Sequence, residues 1–279
     1  MEPFQNINTI KSLSRSDFEG ACKEHTDHIY LGDDIVLCRV LTKYKMYVNA
    51  KDIGIAPHLI MDGYWESWLT QLLARIIQPG SVCLDIGANF GYYSLLMSEL
   101  CGYDGKVLSI EPNPKICELL RITRHLHEWD FDIVQAALSD KKGEATLTIT
   151  ERELGGGTIK PNELIPGRTQ ITVPTISVDE LVKEKNTKRV DVVKMDVEGV
   201  EPLVFEGMQE TIRNNPKMHI ILEYSPSIYD EPQKFTDYLF SNFIVFRVKD
   251  VADVTRLDKS SIPSLVQMQG HTDLYLRPK

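Results

Sequence analysis

Asp85, Gly87, Ala88, Asn89 and Gly91 follow the apolar run Val82-Cys83-Leu84, and Glu111 closes the next apolar run, 107–110. An acid, a glycine turn with a small residue in it and a second acid one strand later suit a cationic ligand that carries a ribose. Glycine takes dihedrals that a side chain forbids and lets a ligand approach the main chain closely. A dinucleotide site uses G-x-G-x-x-G, with the pyrophosphate on a helix N-terminus. Here the spacing is D-x-G-x-x-x-G, with Asn89 where the middle glycine would stand and Asp85 two residues before Gly87. Asp85 would repel a pyrophosphate, whereas the ammonium and sulfonium of S-adenosylmethionine would be drawn to it. Glu111 discriminates less, since it could hold ribose hydroxyls of either cofactor. The plain structural alternative is a glycine turn in a parallel sheet with no cofactor.

A second acidic run, Asp196-Val197-Glu198-Gly199-Val200-Glu201, follows the expected strand Val190–Met195. Methyl transfer from a sulfonium is an in-line displacement, so catalysis rests on holding an oxygen nucleophile against the methyl carbon. A neutral hydroxyl also needs a carboxylate, histidine or metal to take or polarise its proton. Asp196 is the first candidate for that base or for orienting the acceptor, with Glu198 and Glu201 beside it. The competing readings are structural: Asp196 as a helix cap and Glu201 as a dipole partner at a helix start. A metal variant would use Asp196 with Glu223, two hard oxygens suited to Mg²⁺. The histidines add little, because His125 and His127 cannot share a helical face and His58, His219 and His271 are isolated.

These residues need elements to position them. The 279 residues, 42% hydrophobic and 25% charged, suit one large α/β domain with an appendage. From Ser81 a strand-helix alternation begins, the pattern of a mostly parallel sheet with crossover helices. Strands are expected at Val82–Asp85, Val107–Glu111, Phe131–Ala137, Val190–Met195 and Met218–Leu222. Helices are expected at Tyr92–Cys101, from Pro114, at 201–214 and at 234–241. The alternation breaks at Glu144–Thr150 and Thr169–Val173, an antiparallel pair around Gly155-Gly156-Gly157, which reads as a mobile turn. Phe243–Val248 and Thr272–Leu276 suggest an antiparallel edge. Ahead of all this lies a lead-in, residues 1–50, with a short helix from a Ser16 capping box and a β-hairpin, and then an amphipathic helix over 64–77. Residues 51–279 are expected to form the catalytic domain.

A net charge of −9 argues against a nucleic-acid partner. Five scattered cysteines without a C-x-x-C pair read as core residues in a reducing compartment, and no run reaches the length of a membrane span. A cytoplasmic location is the expectation.

Gly63-Tyr64-Trp65-Glu66, the run 84–93, Glu111-Pro112-Asn113-Pro114, Ala137-Leu138-Ser139-Asp140, Val178-Asp179-Glu180-Leu181 and Lys194-Met195-Asp196-Val197-Glu198-Gly199-Val200-Glu201 come in the order seen in the FkbM family. The chain thus resembles an FkbM-family, class I methyltransferase over roughly residues 53 to 224. The resemblance implies a Rossmann-like, doubly wound seven-stranded sheet, S-adenosylmethionine as donor, and O-methylation of a glycan, polyketide or similar small metabolite. It implies Asp85, Gly87, Asn89 and Gly91 around the methionine part, Glu111 on the ribose, and Ala136 and Ala137 near the adenine. Glu66 could reach the methionine amino group; the alternative is a helix surface charge. An N-methyltransferase would carry an Asn/Asp-Pro-Pro-Tyr/Phe run where this chain has Asp196-Val197-Glu198-Gly199. A catalytically silent binding module and an NAD-dependent oxidoreductase are the remaining alternatives. Residues 1–60, 151–170 and 249–271, where acceptor specificity would reside, carry no transferable motif.

Overall fold

The computed structural model describes residues 2–4, 6–150, 152–160, 168–250 and 253–279. The lead-in is helix α1 (Arg15–His25) and an antiparallel sheet of β1 (His28–Gly32), β2 (Ile35–Val40) and β3 (Tyr44–Asn49). Ser14, not Ser16, caps α1, its hydroxyl accepting from Asp17 N at 3.1 Å. Helices α2 (Ala56–Met61) and α3 (Ser67–Ile76) lead to the main sheet. Helix α3 starts later than the apolar spacing suggested, because Glu66 takes a left-handed φ of 37° that no helix can include.

The alternation then runs β4 (Val82–Ile86), α4 (Tyr92–Cys101), β5 (Lys106–Ile110), α5 (Pro114–Arg124) and β6 (Asp132–Val134). An excursion follows through β7 (Ala137–Leu138), β8 (Gly143–Thr150), β9 (Glu153–Thr158) and β10 (Arg168–Ile176). The chain returns through α6 (Val178–Glu184), β11 (Val192–Met195), α7 (Glu201–Glu206), α8 (Gln209–Asn214) and β12 (His219–Tyr224). It ends with α9 (Pro232–Asn242), β13 (Phe243–Asp250), β14 (Asp253–Arg256), α10 (Ile262–Val266) and β15 (Thr272–Pro278).

The large sheet has the order β14-β13-β15-β12-β11-β4-β5-β6. Strands β6, β5, β4, β11 and β12 are mutually parallel, and β15 returns antiparallel between β12 and β13. The sheet is mixed and has eight strands among the described residues, where seven were expected. The extra member is β14, paired to β13 from within a stretch that looked irregular in sequence. Successive residues of a strand face opposite sides, so both faces are apolar. Cys83, Val107 and Val192 join one core with α3, α4 and α5, while Leu84, Leu108 and Val193 join another with α6, α7 and α9.

Three further expectations need correction. The third strand is short: Ala136 N returns to Val134 O at 3.1 Å, and Ala137 then pairs with Thr175 in a separate sheet of order β7-β10-β8-β9. The helix foreseen over 201–214 is two helices. Gly207 ends the first, and the Asp179 carboxylate accepts from Glu210 N at 3.0 Å and Thr211 N at 2.7 Å, restarting the chain as α8. Lastly, Gly155-Gly156-Gly157 is not a turn but the middle of β9, paired antiparallel to β8.

Candidate active site

Strand β4 ends in the glycine turn. Gly87 N and Ala88 N both donate to Ile110 O at 3.0 Å, which ties the turn to the end of β5. Gly87 has φ 77°, and a Cβ there would lie 1.8 Å from the Asp196 carbonyl oxygen, so no side chain fits between β4 and β11. Asn89, also left-handed at φ 49°, donates its N–H to Glu111 Oε2 at 3.0 Å, and Glu111 Oε1 accepts from Asn113 N at 2.8 Å. Burial raises the Glu111 carboxyl to about 7, with the two backbone donors working against that rise. Gly91 caps α4 at φ 94° and faces Leu120 rather than open space.

Beside the turn, acids surround one ammonium. Lys194 is 5% exposed, and its Nζ lies 3.2 Å from Asp196 Oδ2 and 5.3 Å from the centre of the Tyr93 ring. Desolvation would lower its pKa, but Asp196, Asp85 and Glu66 raise it above the usual lysine range. Asp85 is fully buried beneath the turn: Oδ2 accepts from Ser94 Oγ at 2.6 Å and Oδ1 has no partner. Burial raises its pKa. Tyr93 donates its hydroxyl to Glu66 Oε2 at 2.7 Å. Desolvation and then Asp273 raise Glu66, and desolvation followed by Asp196 raises Glu223. Asp273, opposite Glu223 in the β12–β15 pairing, accepts from Trp68 Nε1 at 2.7 Å and leaves Oδ1 unpartnered.

Two cavities open here at the carboxyl ends of the strands. A slot of about 30 Å³ is lined by Ile110, Glu111, Ala136, Ala137 and Val200, room for about two or three waters. A chamber of about 370 Å³ is lined by Ala88, Asn89, Trp65, Tyr93, Lys194 and Glu223. They share Gly87, Gly155, Asp196 and Glu198. The structure therefore brings together Gly87, Ala88, Asn89, Glu111, Ala136, Ala137, Asp196 and Glu198. Glu66 lines neither cavity and lies behind Tyr93, whose hydroxyl donates to it.

Asp85, Gly91 and Glu201 line neither cavity. Asp85 and Gly91 support the turn from below. Glu201, 1% exposed, holds the loop after β11 by accepting from Val197 N at 3.1 Å. Asp196 does not cap α7, whose N-cap is Val200 without a side-chain bond. His271 is exposed at the start of the last strand's approach. Among the described residues, no three His, Cys, Asp or Glu side chains converge as metal ligands. Sequence reasoning missed Lys194 and Tyr93 as residues of the chamber; Lys194 stood inside the motif run, but beyond Asp196 its acidic neighbours come from other elements. The five cysteines are buried and unpaired, and no described helix is long and apolar enough to cross a membrane.

Known proteins resemble this chain. The hexuronic acid methyltransferase AglP of Haloferax volcanii is 26% identical over 157 residues, which cover 56% of this chain and 61% of that protein. The chain thus spans less than two thirds of that relative's length. The crystal structure of methyltransferase FkbM from Methylobacillus flagellatus superposes with a TM-score of 0.45 at 12% identity, covering 78% of this chain and 52% of that one. An O-methyltransferase from Bacillus cereus in complex with SAH gives a TM-score of 0.42 at 13% identity, covering 75% and 77%. The family described as the Methyltransferase FkbM domain matches residues 85–251, from the acid at the end of β4 to the end of β13. With more than half of its length inside that match, the chain belongs to the FkbM methyltransferase family.

Proposed function

We propose that this chain uses S-adenosylmethionine to methylate a hydroxyl group of a glycan, polyketide or other small metabolite. The observation that carries the reading is the meeting of slot and chamber at Gly87, Gly155, Asp196 and Glu198. The donor's ribose would lie on Glu111, whose two oxygens are already oriented by backbone donors. Its adenine would lie along Ala136 and Ala137, and its methionine end on Gly87, Ala88 and Asn89 with Glu66 on the ammonium. When bound, the donor supplies an electrophilic methyl group; what this chain supplies is position and a proton acceptor. Asp196 stands where the two cavities join, and Lys194 orients its carboxylate from 3.2 Å. It takes the hydroxyl proton while that oxygen takes the methyl group.

The sugar acid acted on by the Haloferax relative supports a sugar hydroxyl as acceptor. Sheet order, with parallel strands flanking β4 and helices on both faces, supports a doubly wound class I sheet. Unpaired cysteines suit a cytoplasmic location. The test is methyl transfer from labelled donor to a panel of sugar, uronic acid and polyketide hydroxyls. Label is expected in an ether methyl group, and Asp196→Asn should lower turnover about 10²- to 10⁴-fold with S-adenosylhomocysteine binding intact. Undiminished turnover in that variant rules out the base role, and label recovered only on nitrogen rules out O-methylation.

A further inference from the structure

The chamber is acidic, yet at its wall stands one buried cation. Asp85, Glu66, Asp196, Glu223 and Asp273 all act electrostatically on Lys194 or feel it. The residues outside the described set include no Lys, Arg or His, so every basic side chain of the chain is described. Among them, Lys194 alone lines the chamber, and none lines the slot. Lys160, beside Gly199 in the loop after β9, is engaged by Asp230 at 2.7 Å and the Ile228 carbonyl.

A buried ammonium is costly unless paired, and the one carboxylate in contact with Lys194 among the described residues is Asp196, at 3.2 Å. Asp196 takes one of its three N–H donors, and no other hydrogen bond from this ammonium is made among the described residues. Tyr93 stands between it and Glu66, touching the ammonium with its ring face and the carboxylate with its hydroxyl.

We propose that Lys194 is a carboxylate-recognition residue, the cationic contact for a ligand carboxylate in the chamber. The inference rests on the donor reading above, and the carboxylate has two possible sources: the methionine end of the donor, or a uronic acid acceptor. A charge-assisted contact of this kind is roughly twice as strong as a neutral hydrogen bond. It also gives Lys194 a role separate from stabilising the fold, since a structural ammonium would not distinguish ligands with and without a carboxylate.

The experiment is calorimetric titration of the full chain, as wild type, Lys194→Met and Lys194→Arg. The probes are S-adenosylhomocysteine, which has the amino-acid end, and 5′-methylthioadenosine, which lacks it. Glucuronate and glucose are then titrated into the S-adenosylhomocysteine-saturated protein. If the donor is the source, Lys194→Met weakens S-adenosylhomocysteine about tenfold or more and leaves methylthioadenosine unchanged, and Lys194→Arg keeps most of the affinity. If the acceptor is the source, nucleoside binding is unchanged and a preference for glucuronate over glucose disappears. Equal weakening of both nucleosides overturns the inference, because it marks a merely structural ammonium. So does unchanged binding of S-adenosylhomocysteine without any glucuronate preference in the wild type. Wild-type protein that binds neither nucleoside instead fails the donor reading itself, and the inference falls with it.

Discussion

Glu201 carries the same functional group as Asp196 five residues earlier, but the two face opposite surroundings. Asp196 meets both cavities, whereas Glu201 is buried behind the loop with Oε2 unpartnered. Burial lifts the Glu201 carboxyl from 4.5 to about 7. A carboxyl raised by folding favours the folded state fully below its unfolded pKa, and that contribution is lost as pH rises through about 7. Glu201→Gln keeps an acceptor for the Val197 N–H and removes the charge. The variant is therefore expected to melt higher than wild type at about pH 8, with the gap closing at about pH 5, and to retain methyl transfer. Thermal melts across pH check the first part; lost turnover with unchanged melting would return Glu201 to the catalytic group. The sequence put Asp196 first but kept Glu198 and Glu201 beside it, because spacing alone does not say which side of a loop faces the cavity. Lys194 was hidden for a related reason. Its chemistry comes from carboxylates on β4, β12 and β15, which only strand pairing brings to it.

At the scale of elements, β9 governs the slot. Gly155 lies on Asn89 so closely that a Cβ would stand 1.9 Å from its Nδ2, and the slot beneath holds only a few waters. Gly155→Ala should push the Asn89 side chain off the Phe90 N–H, a contact of 2.8 Å. Losing such a bond costs about 0.5–1.5 kcal/mol, so S-adenosylhomocysteine affinity should fall by up to about tenfold. Unchanged affinity by calorimetry would mean that β9 does not cover the donor. The strand-helix alternation was legible because parallel strands are continuous apolar runs and Pro114 and Gly102 punctuate the helices. Strand β9 was not, since three successive glycines signal a turn and only pairing with β8 makes them a strand. The α7–α8 break was equally hidden, because its cap, Asp179, lies in a different helix.

Across the whole molecule, the lead-in and the catalytic sheet share one core. Ile7, Ile10, Phe18, Val36 and Met46 are packed in the same cluster as Leu69, Leu73, Leu96 and Leu120. Lys43 and Tyr44 reach Glu99 on α4, with the Lys43 contact at 2.8 Å, and Asp52 accepts from Leu154 N in β9 at 3.0 Å. The boundary at residue 50 is one of sequence pattern, not of packing. Deleting residues 1–50 is expected to leave a chain that does not melt cooperatively, checked by calorimetry; a sharp transition in the truncated chain would make the lead-in a separate module. Motif order pointed to the family, while the chamber stayed unreadable because it is assembled from residues as distant as Asp52, Lys194 and Glu223. The account stands on the acidic glycine turn being a site for a sulfonium nucleoside and not for a pyrophosphate. The most direct measurement is titration of the full chain with S-adenosylhomocysteine and with NAD. One-to-one binding of the first and none of the second is expected; binding of NAD, or a folded chain that ignores S-adenosylhomocysteine, would contradict it.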